Sequence, residues 1–203
     1  MSGALAGAVS SGLIGGRLWL YANYHCNLAC RYCLTESAPG VPRRQLPLDR
    51  LPEVAREARA NGFTALGVTG GEPFLVRGLP AALAAMAAEL PVVVLSNGTL
   101  FNRRLLAELA VLSGREVAVQ ISLDSADPDA NDEMRAPLNF AKVVGAIPRL
   151  RELGLRVRIA TTTEGLPPDE LRRLAGEVAG DPDAAPALAA WLRDHGFGVE
   201  EAG

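Results

Sequence analysis

Val117, Val119, Ile121 and Leu123 alternate with Ala118, Gln120, Ser122 and Asp124, and farther on Val157 and Ile159 alternate with Arg156, Arg158, Ala160 and Thr162. Side chains alternate faces along a strand, so each run reads as a strand with one apolar and one polar side. Strand patterns are expected at residues 18–24, 63–69, 92–96, 116–124 and 155–162, and helical patterns at 49–61, 80–90, 102–112, 139–153 and 168–179. Gly62 reads as the stop of the 49–61 helix and Asn97-Gly98 as the boundary of the third strand. Pro148 is expected to bend or break the 139–153 helix. Five βα units in succession predict an α/β fold with a parallel sheet and right-handed crossovers.

The polar sides decide which kind of sheet. Strands of a doubly wound sheet are covered on both faces and read as unbroken apolar runs. Here only one side is apolar and can meet the helices, leaving the other to line a cavity. The expectation is an open, partial (β/α) barrel of five strands. Phe197-Gly198-Val199-Glu200 is a short sixth strand in this reading, poor in strand formers. Before it, Ala185, Leu188, Ala189 and Leu192, with Trp191 beside them, predict a helix over 184–195 that covers the open sheet edge.

Composition narrows the class. The 203 residues, 49% apolar and 21% charged, suit one globular domain. No uncharged apolar run approaches the ~20 residues of a membrane span, and a net charge of −3 gives no reason to expect nucleic acid or an anionic membrane as partner. Residues 1–16 carry no charge and are mostly Gly, Ala and Ser. They lack the basic start and continuous apolar centre of a signal peptide. They read as a disordered arm or a start codon placed too early, with the core domain at 17–203. A reducing, cytoplasmic compartment is expected.

Candidate chemistry begins with the three cysteines of the chain, Cys26, Cys30 and Cys33, in His-Cys-Asn-Leu-Ala-Cys-Arg-Tyr-Cys. Three thiolates can hold three corners of an iron–sulfur cube and leave the fourth iron open, whereas most electron carriers close every corner with four cysteines. The rival is a structural zinc site of Cys3His type with His25 as fourth ligand, although zinc usually draws on two separated pairs. An odd count disfavours a disulfide framework.

Other polar motifs follow successive strands: Gly70-Gly71-Glu72-Pro73 after the second, Ser96-Asn97-Gly98 after the third, and Ser122 and Asp124 at the end of the fourth, with Arg135 beyond. Ligands of such sheets sit at the carboxyl ends of the strands. Each motif alone is also an ordinary turn or helix cap.

With the cysteine run and Gly-Gly-Glu-Pro in these places, the chain resembles the radical SAM superfamily over residues 17–180, and within it the branch of the molybdenum-cofactor cyclase and the peptide-maturing enzymes. The resemblance implies a [4Fe-4S] cluster on Cys26, Cys30 and Cys33, with S-adenosylmethionine chelating the fourth iron. It places Gly70, Gly71 and Glu72 at the methionine amino group, Ser122 and Asp124 at the ribose or methionine, and Arg135 at the methionine carboxylate. Tyr32 packs by its backbone toward the adenine, and Ser96 and Asn97 belong to the same pocket. The implied activity is reductive cleavage to a 5′-deoxyadenosyl radical that abstracts hydrogen from a peptide or small-molecule substrate, an oxidoreductase-type chemistry, with a one-electron reductant such as a flavodoxin or ferredoxin as partner. These are cofactor- and metal-binding roles, and no catalytic residue is identified. The family's core has six βα units where five are read here, and three cysteines leave none for an auxiliary cluster. The alternatives are a non-catalytic cluster- or zinc-binding module and a shortened inactive relative.

Overall fold

The computed structural model describes residues 2–125 and 127–161. Among them, β1 (Arg17–Tyr21), β2 (Ala65–Thr69), β3 (Val92–Ser96), β4 (Val117–Ser122) and β5 (Arg156–Ala160) form one parallel sheet in the order β1-β2-β3-β4-β5. That order never reverses, unlike a doubly wound sheet, which has a switch point. The links carry α2 (Leu51–Ala60), α3 (Leu79–Met86), α4 (Arg103–Leu109), α5 (Pro128–Met134) and α6 (Asn139–Glu152).

The expected alternation sorts the two faces. Leu66, Val68, Val92, Val94, Val117, Val119, Ile121 and Leu123 are buried in one core with Leu83 and Met86 of α3, Leu109 of α4, and Val143, Ile147 and Leu150 of α6. Each such side chain contributes about 1.5–3 kcal/mol on leaving water. On the opposite face the register aligns Trp19, Gly67, Val93, Ala118 and Arg156 in one row. The Trp19 indole lies flat on Gly67, where an added Cβ would come 2.2 Å from the ring. This face is therefore less polar than β4 and β5 alone suggest. In a flat sheet β1 and β5 would stand four strand spacings apart, about 19 Å. Here Arg17 of β1 lines one hollow at the foot of the sheet together with Arg156 and Arg158 of β5, so the sheet curls.

Three local features depart from the sequence reading. Ser2–Ser10 forms a helix (α1) rather than a disordered arm. Its alanines favour helix, and Val9 packs against the core beside Gly62. The helix α5 was not anticipated; the Asp127 carboxylate caps it by accepting from Ala130 N–H at 2.8 Å, and Pro128 occupies its first turn. The helix α6 continues through Pro148, so of the expected bend or break the break does not occur. Proline removes one backbone donor there, and burial of Val143, Ala146, Ile147 and Leu150 against the sheet outweighs that loss. The expected helices at 168–179 and 184–195, the end of the fifth strand at Thr162 and the short strand at 197–200 lie outside the described residues. Among the described residues no helix is long and apolar enough to cross a membrane.

Candidate cofactor site

The cysteine loop leaves the carboxyl end of β1 and returns to it. Leu46 N–H donates to Ala22 C=O at 2.9 Å, and Asn23 bridges to Gln45, which closes the loop at its base. Inside it Cys26 N–H donates to Ala38 C=O (3.4 Å), Cys33 N–H to Cys30 C=O (3.1 Å) and Glu36 N–H to Cys33 C=O (3.0 Å), so the backbone turns between the cysteines.

The three thiols differ in surroundings. Cys26 is buried, and its Sγ accepts from Leu28 N–H at 3.4 Å and Asn97 Nδ2 at 3.5 Å. Burial pushes its thiol above the usual value; the Glu72 and Cys30 charges add to that, while the two donors oppose it. Cys30 is also raised, first by burial, with Arg135 pulling the other way and Cys33 and Asp124 pushing up. At Cys33 burial again raises the thiol, but hydrogen bonds from Thr35 and Ser37 win and leave it below its ordinary value. Ser37 N–H is 3.4 Å from its sulfur.

Cys30 acts electrostatically on Cys26, and Cys33 acts on Cys30, so neighbouring thiols along the loop lie within electrostatic range of each other. The set fits an iron–sulfur cluster: soft thiolates on one loop, N–H donors on two sulfurs, and the positive charge of Arg135 acting on the third. A cube binds its thiolates on three different irons, so they need not converge on one point. Among the described residues no three His, Cys, Asp or Glu side chains converge to hold a single ion. His25, the fourth ligand of the zinc alternative, is buried with Nδ1 3.5 Å from Asn23 Nδ2.

Gly70-Gly71-Glu72-Pro73 lies directly on this loop. Gly71 N–H donates to Asn23 C=O at 3.1 Å and Glu72 N–H to His25 C=O at 3.0 Å. The approach requires glycine twice: a Cβ on Gly70 would meet Asn23 Oδ1 at 2.4 Å, and one on Gly71 would meet the His25 carbonyl oxygen at 2.1 Å. Asn23 is fully buried and donates through Nδ2 to the Glu72 carbonyl at 2.9 Å.

The Glu72 carboxylate is turned inward. It is fully buried; Oε1 accepts from Phe74 N–H at 3.1 Å and Ser96 Oγ at 3.0 Å, and Oε2 from Asn97 N–H at 2.7 Å. Burial raises its pKa to about 7 against the pull of these three donors. The carboxylate thus ties the end of β2 to the end of β3. Ser96 serves it as donor and itself accepts from Gly98 N–H at 3.1 Å.

Asp124, Arg135 and Tyr32 form a third cluster. Arg135 makes a two-point ion pair with Asp124, and the Tyr32 hydroxyl donates to the same carboxylate. Behind them stands an asparagine relay that the sequence reading missed. Asn131 Oδ1 accepts from Asp124 N–H at 3.0 Å, Asn131 Nδ2 donates to Asn139 Oδ1 at 3.0 Å, and Asn139 Nδ2 donates to Asn97 C=O at 3.4 Å. In sequence these asparagines look like ordinary caps and turn residues, which is why they carried no signal. Ser122 is half-buried at the end of β4, in register with Ala160. The structure thus brings Cys26, Gly70, Gly71, Glu72, Ser96 and Asn97 into one network, and joins Tyr32, Asp124 and Arg135 to it through Asn131 and Asn139.

The radical SAM superfamily model matches residues 21–178, most of the chain. The chain belongs to the radical SAM superfamily. Among its relatives, a GTP 3′,8-cyclase of Pseudomonas putida is 33% identical over 64% of this chain and 40% of its own length. A GTP 3′,8-cyclase of Rhodopseudomonas palustris is 28% identical over 86% of the chain and 48% of its own length. The subtilosin biosynthesis protein AlbA of Bacillus subtilis is 29% identical over 86% of the chain and 39% of its own length. The chain therefore spans less than half the length of these radical SAM relatives. Among solved structures, Streptococcus suis SuiB bound to S-adenosylmethionine aligns with a TM-score of 0.63 at 20% identity, over 81% of this chain and 38% of that one. SuiB bound to its precursor peptide SuiA aligns at 0.65 with 17% identity, over 95% and 50%. At such identities these two show a shared fold.

Proposed function

We propose that this chain is a radical SAM enzyme, or the catalytic core of one, which holds a [4Fe-4S] cluster on Cys26, Cys30 and Cys33 and binds S-adenosylmethionine at its open iron. The observation that carries the reading is the joint packing of the cysteine loop, Gly-Gly-Glu-Pro and Ser96-Asn97 at the carboxyl ends of β1, β2 and β3. When bound, these groups supply one-electron reductive cleavage of the sulfonium C5′–S bond and hydrogen-atom abstraction from substrate.

The chain's own residues have three tasks in this reading. The cysteine loop offers thiolates with donors already in place, which lowers the cost of gathering negative charge around a cluster. Gly70 and Gly71, without side chains, let Gly-Gly-Glu-Pro seat directly on the cysteine loop and so hold the ends of β1 and β2 together beside the thiols, at the methionine end of the cofactor. Tyr32, Asp124, Arg135 and Ser122 would meet the cofactor beyond the end of β4, where Arg135 and Asp124 compensate each other's charge and present a polar but nearly neutral group. Leu34 is fully exposed next to Cys33, which suits approach of a one-electron reductant such as a flavodoxin or ferredoxin.

The substrate is read as a peptide. AlbA acts in bacteriocin biosynthesis by its name, and the fold is shared with SuiB bound to a precursor peptide. The test is anaerobic reconstitution followed by a strong reductant. The expected outcome is about four irons per chain and release of 5′-deoxyadenosine. Stoichiometric zinc without cluster, or a cluster that never cleaves the cofactor, would return the chain to the binding-module or inactive-relative alternatives.

A further inference from the structure

We propose that Asn97 is a positioning residue for the cluster, donating its side-chain amide to Cys26 Sγ and thereby raising the cluster's reduction potential. This deepens the cofactor reading above and rests on it. The resemblance places Asn97 in the S-adenosylmethionine pocket; the geometry turns its amide to the sulfur instead.

The orientation of that amide is over-determined. Oδ1 accepts from Thr99 N–H at 3.0 Å and from Thr99 Oγ1 at 2.7 Å, so the other terminus must be the donor. Nδ2 then lies 3.5 Å from Cys26 Sγ and 3.0 Å from Asn27 Oδ1, an acceptor on the cysteine loop. The main chain is pinned separately, by Asn97 N–H on Glu72 Oε2 at 2.7 Å and by Asn139 Nδ2 on the Asn97 carbonyl at 3.4 Å. Asn97 is 8% exposed and Cys26 7%, so little water competes for the sulfur. Reduction adds negative charge to a cluster and its ligands. A donor aimed at a ligand sulfur stabilises the reduced form more than the oxidised one, and burial strengthens that preference.

Because both main-chain contacts survive truncation, Asn97→Ala removes the sulfur donor while keeping the backbone frame. Thr99→Ala is the control: it loosens the same turn and leaves the donor in place. Wild type and both variants are reconstituted anaerobically, and the cluster's midpoint is measured by redox titration with EPR detection. At a fixed poise the reduced-to-oxidised ratio of Asn97→Ala should fall about tenfold, equivalent to a midpoint about 59 mV more negative for one electron. Thr99→Ala should stay near wild type. An unshifted Asn97→Ala cluster, or equal shifts in the two variants, overturns the proposal. Should Asn97→Ala take up no cluster, wild type carrying isotopically labelled asparagine side-chain nitrogen decides. Its reduced cluster must show a hyperfine coupling to that nitrogen which persists in Asn27→Ala, and absence of the coupling rejects the assignment. Wild type that takes up no iron at all fails the cofactor reading itself, a result distinct from any of these.

Discussion

Arg135 grips Asp124 at two points, Nε 2.5 Å from Oδ2 and Nη2 3.3 Å from Oδ1, with both side chains buried. Tyr32 donates to the same carboxylate and lies beneath the guanidinium, whose Cζ is 5.6 Å from the ring centroid. The arginine that the family resemblance assigns to a cofactor carboxylate is thus engaged by a carboxylate of the chain itself. A cofactor arriving here would have to share Arg135 with Asp124 or meet the pair as a unit.

Breaking that pair from one side should be costly. Asp124→Asn or Arg135→Gln leaves one buried charge uncompensated, and each alone should lower stability by about 3–5 kcal/mol. The double variant should lose clearly less than the sum of the two, because the second change removes the stranded charge. Urea unfolding of the apo protein measures all three. Simple additivity would show that the two groups do not act together.

Glu72 predicts a pH dependence. Its folded pKa, about 7, lies above the ordinary 4.5 because burial penalises the charged form. The folded chain therefore holds a proton that the unfolded chain has released across this interval. The contribution is fully present below pH ~4.5 and is lost as pH rises through ~7, on the order of 3 kcal/mol across the window. Unfolding of the apo protein between those limits should show the decline, and Glu72→Gln should flatten it. A slope that survives in Glu72→Gln belongs to another group.

The strands were legible because period-two alternation and glycine or proline boundaries are local signals, as in Val117–Ser122 and Val92–Ser96. The cysteine run and Gly-Gly-Glu-Pro were legible for the same reason: the chemistry sits within a few consecutive residues. Partner choice was not. Glu72 takes donors from Ser96 and Asn97, and Asn97 reaches Cys26 across the sheet's carboxyl end, contacts that exist only once β1, β2 and β3 are side by side. The α1 helix was missed because its Gly, Ala and Ser look like linker composition, while what places it is Val9 against the core near Gly62.

The close seat of Gly71 on the cysteine loop makes it intolerant of any side chain. A methyl at Cβ would have to enter the space held by the His25 carbonyl oxygen, 2.1 Å away, and backbone cannot rotate aside as a side chain can. Gly71→Ala should cost about 1–3 kcal/mol, the range of overpacked sites. It should also lift Gly-Gly-Glu-Pro off the loop, so that iron uptake on reconstitution falls more than stability does. Wild-type iron content in a folded Gly71→Ala protein would show that the two loops are not mutually dependent.

The three thiols should react in a fixed order before any cluster is installed. The thiolate is the reactive form, so the rate follows both acidity and access. Cys33 is half-exposed and held below its usual pKa by Thr35 and Ser37 in spite of burial. Cys30 is also half-buried but raised, and Cys26 is both buried and raised. Alkylation of the apo chain with iodoacetamide near neutral pH, followed by peptide mass spectrometry, should therefore label Cys33 first and Cys26 last, with at least a roughly tenfold spread in rate between them. Removing the donors should narrow the spread from the fast end: Thr35→Val takes away one hydrogen bond to Cys33 Sγ, 3.4 Å long, and should slow Cys33 without touching Cys26. Equal labelling of all three cysteines in the folded apo chain would mean that the loop is not preset for the cluster and takes its shape only on assembly.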